Sequence, residues 1–215
     1  MKWRNVFSAA VVPFFLAVTP AVAELTLVNN GISRAPIVVF EKAPPLTMQA
    51  AEELATYLEK TSGAKPDIIT GKPQPVPEHA IWVGVQPKVK ELFPDADFNF
   101  RHPEEILIAA NDDHLVIAGR DRWDPDNLVV EGRNWTIEGK QLEYGTANAV
   151  YTFLQRYLKV RWLWPGETGE DILEQQTIAL APFTYRYHPQ IRSRSGLFRL
   201  SALGDSRGFS HDWVR

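Results

Sequence analysis

Apolar and polar residues alternate in short bursts along most of this chain, and in only two places do they settle into helical spacing. Leu25–Val28 and Ile37–Phe40 are β-branched runs on either side of Asn29-Asn30-Gly31, a turn signal that predicts two neighbouring strands. Over Leu46–Ser62, Met48, Ala51, Leu54, Ala55 and Leu58 recur at three and four, which predicts a helix with one buried face. Pro44-Pro45 precedes that helix, Gly63 stops it and Pro66 prevents its resumption. Asp67–Thr70 predicts a strand, and the proline-rich Lys72–Glu78 a loop. Ala80–Val85 predicts a further strand with Ile81, Val83 and Val85 on one face.

Glu105–Ala109 and His114–Ala118 alternate as a hairpin closed by Asn111-Asp112. Arg120–Lys140 reads as an insertion rich in turn and charged residues. Tyr144–Leu158 predicts a second helix burying Ala147, Val150, Tyr151, Leu154 and Leu158. Val160–Trp164 predicts a strand ended by Pro165-Gly166, and Thr177–Leu180 the last strand before Pro182 and Pro189. The pattern predicts an α+β fold: a mainly antiparallel or mixed β-sheet with two helices packed on one face.

The two ends differ from this body. Lys2 and Arg4, the apolar run Val6–Val18 and Pro20-Ala21-Val22-Ala23 have the form of a secretory signal peptide over residues 1–23. The run is shorter than the roughly 20 residues a spanning helix needs. The expected location is therefore exported, periplasmic or extracellular, with no membrane partner after cleavage. Tyr185 to Arg215 carries six arginines against two aspartates and little periodicity. A basic tail suits an acidic glycan or a membrane surface. The expectation favoured here is that residues 190–215 open a following domain, leaving 24–189 as the first.

Composition narrows the function classes. The chain has 215 residues, 45% hydrophobic and 23% charged, with a net charge of −3. That balance argues against nucleic acid as a partner. With no cysteine there are no disulfides, thiolate metal sites or cysteine nucleophiles, so stability must come from a packed core. The five histidines show no metal-ligand spacing, and no phosphate loop, dinucleotide fingerprint or nucleophile elbow is present. No cofactor and no metal are expected.

Three stretches carry candidate chemistry. Glu167-Thr168-Gly169-Glu170-Asp171 places three carboxylates behind a Pro-Gly turn. Glycoside hydrolysis needs two carboxyls held across the bond, one of them kept protonated by its surroundings. No neighbouring element obviously shields one acid here, so solvated surface is the expectation, with Glu167 or Glu170 lining a neighbouring cleft as the functional alternative. Asp121, Asp124 and Asp126 lack calcium-loop spacing. Arg120, Arg122 and Trp123 can instead meet sugar through a guanidinium fork and a stacking face, or simply form loop salt bridges. Trp162 and Trp164, two apart on a predicted strand, share a face that is either a carbohydrate platform or core packing.

The stretch from Tyr144-Gly145-Thr146-Ala147 through Tyr157-Leu158 to Trp162-Leu163-Trp164-Pro165-Gly166-Glu167 is distinctive. It resembles the helix and strand of the small domain that precedes the catalytic barrel in bacterial α-glucuronidases and in β-N-acetylhexosaminidases (domain 2). The resemblance is strongest to a set of secreted bacterial glycoside-hydrolase-like proteins whose barrel is of unknown function. Ala50-Ala51-Glu52-Glu53-Leu54, Tyr57 to Ala64, Ile81–Gly84 and Leu115–Gly119 agree with it, so it spans about Leu25 to Pro189.

The resemblance implies a sheet with two helices on one side that supports a barrel, whose strand ends carry the catalytic carboxylates. Ile191-Arg192-Ser193-Arg194 looks like the first barrel strand, so the chain holds no complete active site. The implied role is a non-catalytic N-terminal accessory domain of an exported protein acting on polysaccharide. Its partners would be its own C-terminal barrel and a poly- or oligosaccharide. The alternative is a stand-alone carbohydrate-binding module using Trp123, Trp162, Trp164 and nearby arginines.

Overall fold

The computed structural model describes residues 24–123, 141 and 143–190, with the backbone of two short strands, β9 (Leu128–Val129) and β10 (Thr136–Ile137). The expected signal peptide at 1–23, Asp124, Asp126 and the expected start of a following domain at 191–215 lie outside the described residues.

Six strands form the central sheet: β3 (Ile37–Val39), β4 (Ile68–Thr70), β5 (Ala80–Val83), β6 (Ile106–Ala110), β7 (His114–Gly119) and β15 (Phe183–Tyr187). Their order is β15-β6-β7-β5-β3-β4. β4, β3, β5 and β7 run parallel, while β6 is antiparallel to both β7 and β15, so the sheet is mixed. Helix α1 (Pro45–Ser62) makes the crossover from β3 to β4. It ends where Gly63 adopts φ 78° and returns its N–H to the Glu59 carbonyl at 2.7 Å.

Strand parity explains the apolar runs. Ile37, Val39, Ile81, Val83, Ile108, Leu115 and Ile117 face a core shared with α1 and helix α3 (Gly145–Arg156). Val38, Ala80, Trp82, Val116 and Ala118 face a second, smaller core. A sheet buried on both faces reads as nearly continuous hydrophobic sequence rather than clean alternation.

The two expected helices, α1 and α3, pack on one face as predicted, and the second core adds a cover on the other. A short helix α2 (Pro87–Leu92) and the segment bearing Phe93, Phe98 and Phe100 cover the other face. Beneath them Trp82 Nε1 points at His114 Nδ1 (3.4 Å), and burial holds the His114 imidazole below its ordinary pKa.

Two expectations change. The strand β1 (Leu25–Asn29) turns at Asn30-Gly31 into β2 (Ile32–Ser33), not toward Ile37–Val39. With β14 (Ile178–Leu180) they form a separate antiparallel sheet, tied to the end of α1 by the Gln175 N–H donating to the Thr61 carbonyl at 2.7 Å. The last strand is not β14 but β15, so Arg186 belongs to the sheet rather than to a basic tail. Its guanidinium meets the buried Glu105 carboxylate at 2.7 Å and donates to the Asp97 and Asn99 carbonyls. Burial alone would raise the Glu105 carboxyl. The His102 backbone N–H, the Arg186 side chain and the Arg101 backbone N–H outweigh it and hold that carboxyl below its ordinary value.

Candidate functional site

Behind α3 the chain forms a small hairpin, β12 (Arg161–Trp162) and β13 (Glu170–Asp171), shorter than the predicted strand to Trp164. Trp162 lies directly opposite Glu170 in its register, so their side chains leave the same face. The intervening loop turns at Gly166 (φ 88°) into a single 3₁₀ turn, Glu167–Gly169. Gly169 is there because nothing larger fits: a Cβ on it would lie 1.9 Å from the Trp164 carbonyl oxygen. The Leu163 N–H donates to the Gly169 carbonyl at 2.8 Å and closes the loop.

This hairpin stands against the C-terminal half of α1 and leaves a groove of about 400 Å³ between them. Trp162 donates to the Tyr57 hydroxyl at 2.6 Å, and Tyr57 donates to Glu170 Oε1 at 2.7 Å. Lys60 Nζ meets Glu170 Oε2 at 2.5 Å and sits 5.2 Å from the Tyr57 ring centroid. Edge-to-face contacts with Tyr57 (5.4 Å) and Tyr151 (6.2 Å) fix the Trp162 ring. The Tyr57 hydroxyl is pushed up to about 12: burial raises it, the Trp162 bond opposes, and the Glu170 bond and charge add to it. Tyr57 therefore keeps its proton at neutral pH, and the chain Trp162 to Tyr57 to Glu170 runs one way.

The acidic loop is consequently not the unshielded stretch its sequence suggests. α1 covers Glu170, whereas Glu167 is exposed. Trp164 is 60% exposed and, with half-buried Trp162, lines the groove. Four of the seven predicted contact residues, Trp162, Trp164, Glu167 and Glu170, thus meet in one place.

Arg120, Arg122 and Trp123 do not join them. β8 (Asp121–Arg122) pairs with β11 (Glu143–Tyr144) beside the start of α3. Arg120 Nε holds Glu143 at 2.8 Å, Arg122 is exposed and Trp123 half-buried. Asp121 Oδ1 accepts the Thr146 N–H at 3.0 Å, satisfying a donor in the first turn of α3. Burial raises the Asp121 carboxyl despite the bonds from Thr146 and Thr47, and the Glu143 charge adds to the rise. Asp121 reaches Thr47 at the start of α1 (3.4 Å), and Thr47 and Tyr57 are about 15 Å apart along that helix. The two groups therefore lie at opposite ends of α1.

Sequence reasoning missed Tyr57, Lys60, Glu53 and Gln155 as groove residues. A signal did exist for three of them. Glu53, Tyr57 and Lys60 follow one another at four and three on α1, a stripe beside the apolar face. Among the described residues no group of acidic and imidazole side chains is arranged to hold a metal ion.

No family model matches the chain, and no curated protein matches it in sequence. Among solved structures it is similar to a family GH115 4-O-methyl-α-glucuronidase, BtGH115A, with specificity for decorated arabinogalactans. The likeness has a TM-score of 0.53 at 19% identity and covers 78% of this chain but 19% of that one. The chain thus shares the fold of one part of that enzyme and spans about a fifth of its length.

Proposed function

We propose that this chain is the accessory α+β domain of an exported glycoside-hydrolase-like protein acting on poly- or oligosaccharide. In this reading it supports a catalytic barrel that follows and lends the Glu167–Asp171 loop to the rim of the cleft. The observation that carries the proposal is the groove beside Trp164, where aromatic faces and carboxylates converge on a fold related to part of a glycoside hydrolase. Leu163 (65% exposed) and Trp164 make an apolar lip suited to contact with a further domain or a glycan. Glu170 accepts from Tyr57 and Lys60, which fits holding and orienting better than donating a proton. Catalysis is accordingly assigned to the barrel.

A second reading, a stand-alone carbohydrate-binding module, draws on the fact that every groove wall comes from this one unit. Intact mass and N-terminal sequencing of the native exported protein separate the two. The accessory reading expects a start at Glu24 and a mass several times larger than about 22 kDa, the value for this chain without its signal peptide. A mass near that value overturns it in favour of the module.

A further inference from the structure

A second cavity lies on the face of the sheet opposite α1, between residues 72–76 and the start of α2. Its volume is about 190 Å³, and the fully buried Trp82 lies against it. Pro73, Val76 and Pro87 complete the apolar lining. The prolines that keep residues 72–78 from forming a strand thus wall the cavity on one side.

Gln86 is the residue here that calls for a ligand. It stands at the head of α2, is 6% exposed and lines the cavity. Its backbone carbonyl accepts the Val89 N–H at 3.0 Å, which anchors the residue, but its side chain does not cap the helix. The side-chain Nε2 is buried and finds no hydrogen-bond partner among the described residues. Burying an amide donor without an acceptor is costly, and a leucine of similar shape would fill the space without that cost. Trp82 behaves differently: it directs its one donor at His114 (3.4 Å) and so offers the cavity a flat wall and no hydrogen bond.

Charge and size select the acceptor. Lys72 lines the cavity from an exposed position, and Lys88 lines it while Glu91 engages its ammonium at 2.8 Å. An ammonium beside an amide donor favours an anionic oxygen over a neutral one. At native packing density, about 0.74, the cavity holds roughly 140 Å³ of ligand. That suits a compact acid such as benzoate and is too small for an oligosaccharide.

We infer that this cavity binds a compact carboxylate with an apolar body. Its oxygens take the Gln86 amide hydrogens and the Lys72 charge, and its body lies against Trp82. The site is separate from the groove beside Trp164 and does not depend on the accessory-domain reading.

The test is calorimetric titration of the full chain at pH 7 with benzoate, benzamide, benzylamine and glucuronate. Benzoate should bind saturably and about fivefold more tightly than benzamide, which offers the carbonyl without the charge. Glucuronate, which carries its carboxylate on a sugar, should bind about tenfold more weakly than benzoate, and benzylamine not at all. Gln86→Leu should abolish benzoate binding and leave the urea midpoint unchanged or higher, because it removes an unpartnered donor. Lys72→Gln, at an exposed position, should weaken benzoate about threefold and leave benzamide within about twofold. Failure of benzoate to bind overturns the inference, as does benzoate binding that survives Gln86→Leu. Glucuronate or benzylamine binding as tightly as benzoate overturns it too, the first on size and the second on charge. A marked loss of stability in Gln86→Leu also counts against it, since a bound water then satisfies the amide.

Discussion

Replacing Tyr57 by phenylalanine removes one oxygen atom and with it two hydrogen bonds of opposite direction, from Trp162 at 2.6 Å and to Glu170 at 2.7 Å. A neutral bond of this kind contributes about 1 kcal/mol and one to a charged group about 1.5–3 kcal/mol. Part of the second is recovered, because Glu170 keeps Lys60 and is 15% exposed to water. Trp162 is only half-buried and can find water too. The net expected cost is about 2 kcal/mol, or about 4–8 °C in Tm for a domain of this size.

Thermal and urea unfolding of the full chain measure this directly. Lys60→Met is the control: it removes an ion pair whose lysine is 35% exposed, and should cost no more than about 1 kcal/mol. A second signature lies in alkali. The Tyr57 hydroxyl rises from 10.0 to about 12 in the folded protein, so the native state holds this proton more tightly than the unfolded chain. Its contribution is fully present below pH 10 and is lost as pH climbs toward 12. The difference in stability between wild type and Tyr57→Phe should shrink across that window. A variant within about 0.5 kcal/mol of wild type at pH 7, with no such narrowing in alkali, refutes the hydrogen-bond chain described for the groove wall.

Gly169→Ala places a methyl 1.9 Å from the Trp164 carbonyl oxygen and 2.6 Å from its nitrogen, both backbone atoms with no easy escape. It should cost about 3 kcal/mol and shift the tryptophan emission; unchanged urea unfolding would show that the loop is not closed by contact. Glu105→Gln should cost about 1.5–3 kcal/mol by replacing a charge-assisted pair with a neutral one while Arg186 stays 30% exposed to water, with faster amide exchange in β15 as the local readout. The Glu105 carboxyl is held below 4.5 in the folded state, so its contribution is present above pH 4.5 and lost as pH falls through the folded value. The acid limb of the stability curve should therefore flatten in the glutamine variant, and an unaltered limb would count against the clamp.

How far the fold can be read from sequence depends on how each element is buried. Both long helices are legible because α1 and α3 each bury a full stripe, and the β6–β7 hairpin because Asn111 marks its turn with a side chain that caps it. α2 is invisible for the opposite reason. It is a single short segment opening on Pro87, with Val89 as its buried residue, and one point defines no period. β15 hides between two prolines, and its polar residues suggest a tail. As an edge strand it is half-exposed, and Arg186 is drawn in by a carboxylate 81 residues away in sequence. Pairing β1 with β2 rather than β3 is likewise a tertiary outcome, since β3 finds parallel partners on both sides.

The groove follows the same logic. Trp162, Trp164, Glu167 and Glu170 are adjacent in sequence, so residue type and proximity suffice to place them together. What gives the site its character is contributed by α1, more than 100 residues earlier in the chain. Tyr57 and Lys60 turn a solvated acid into one fixed at both oxygens, and no local pattern around Glu170 announces them. Arg120 illustrates the converse. Its sequence neighbours suggest a binding fork, yet Glu143 engages it at 2.8 Å. Local sequence thus nominates side chains by chemistry, and long-range packing decides which of them face a ligand. Here α1 does the deciding, sorting the seven nominated residues to its two ends and leaving the groove at one of them.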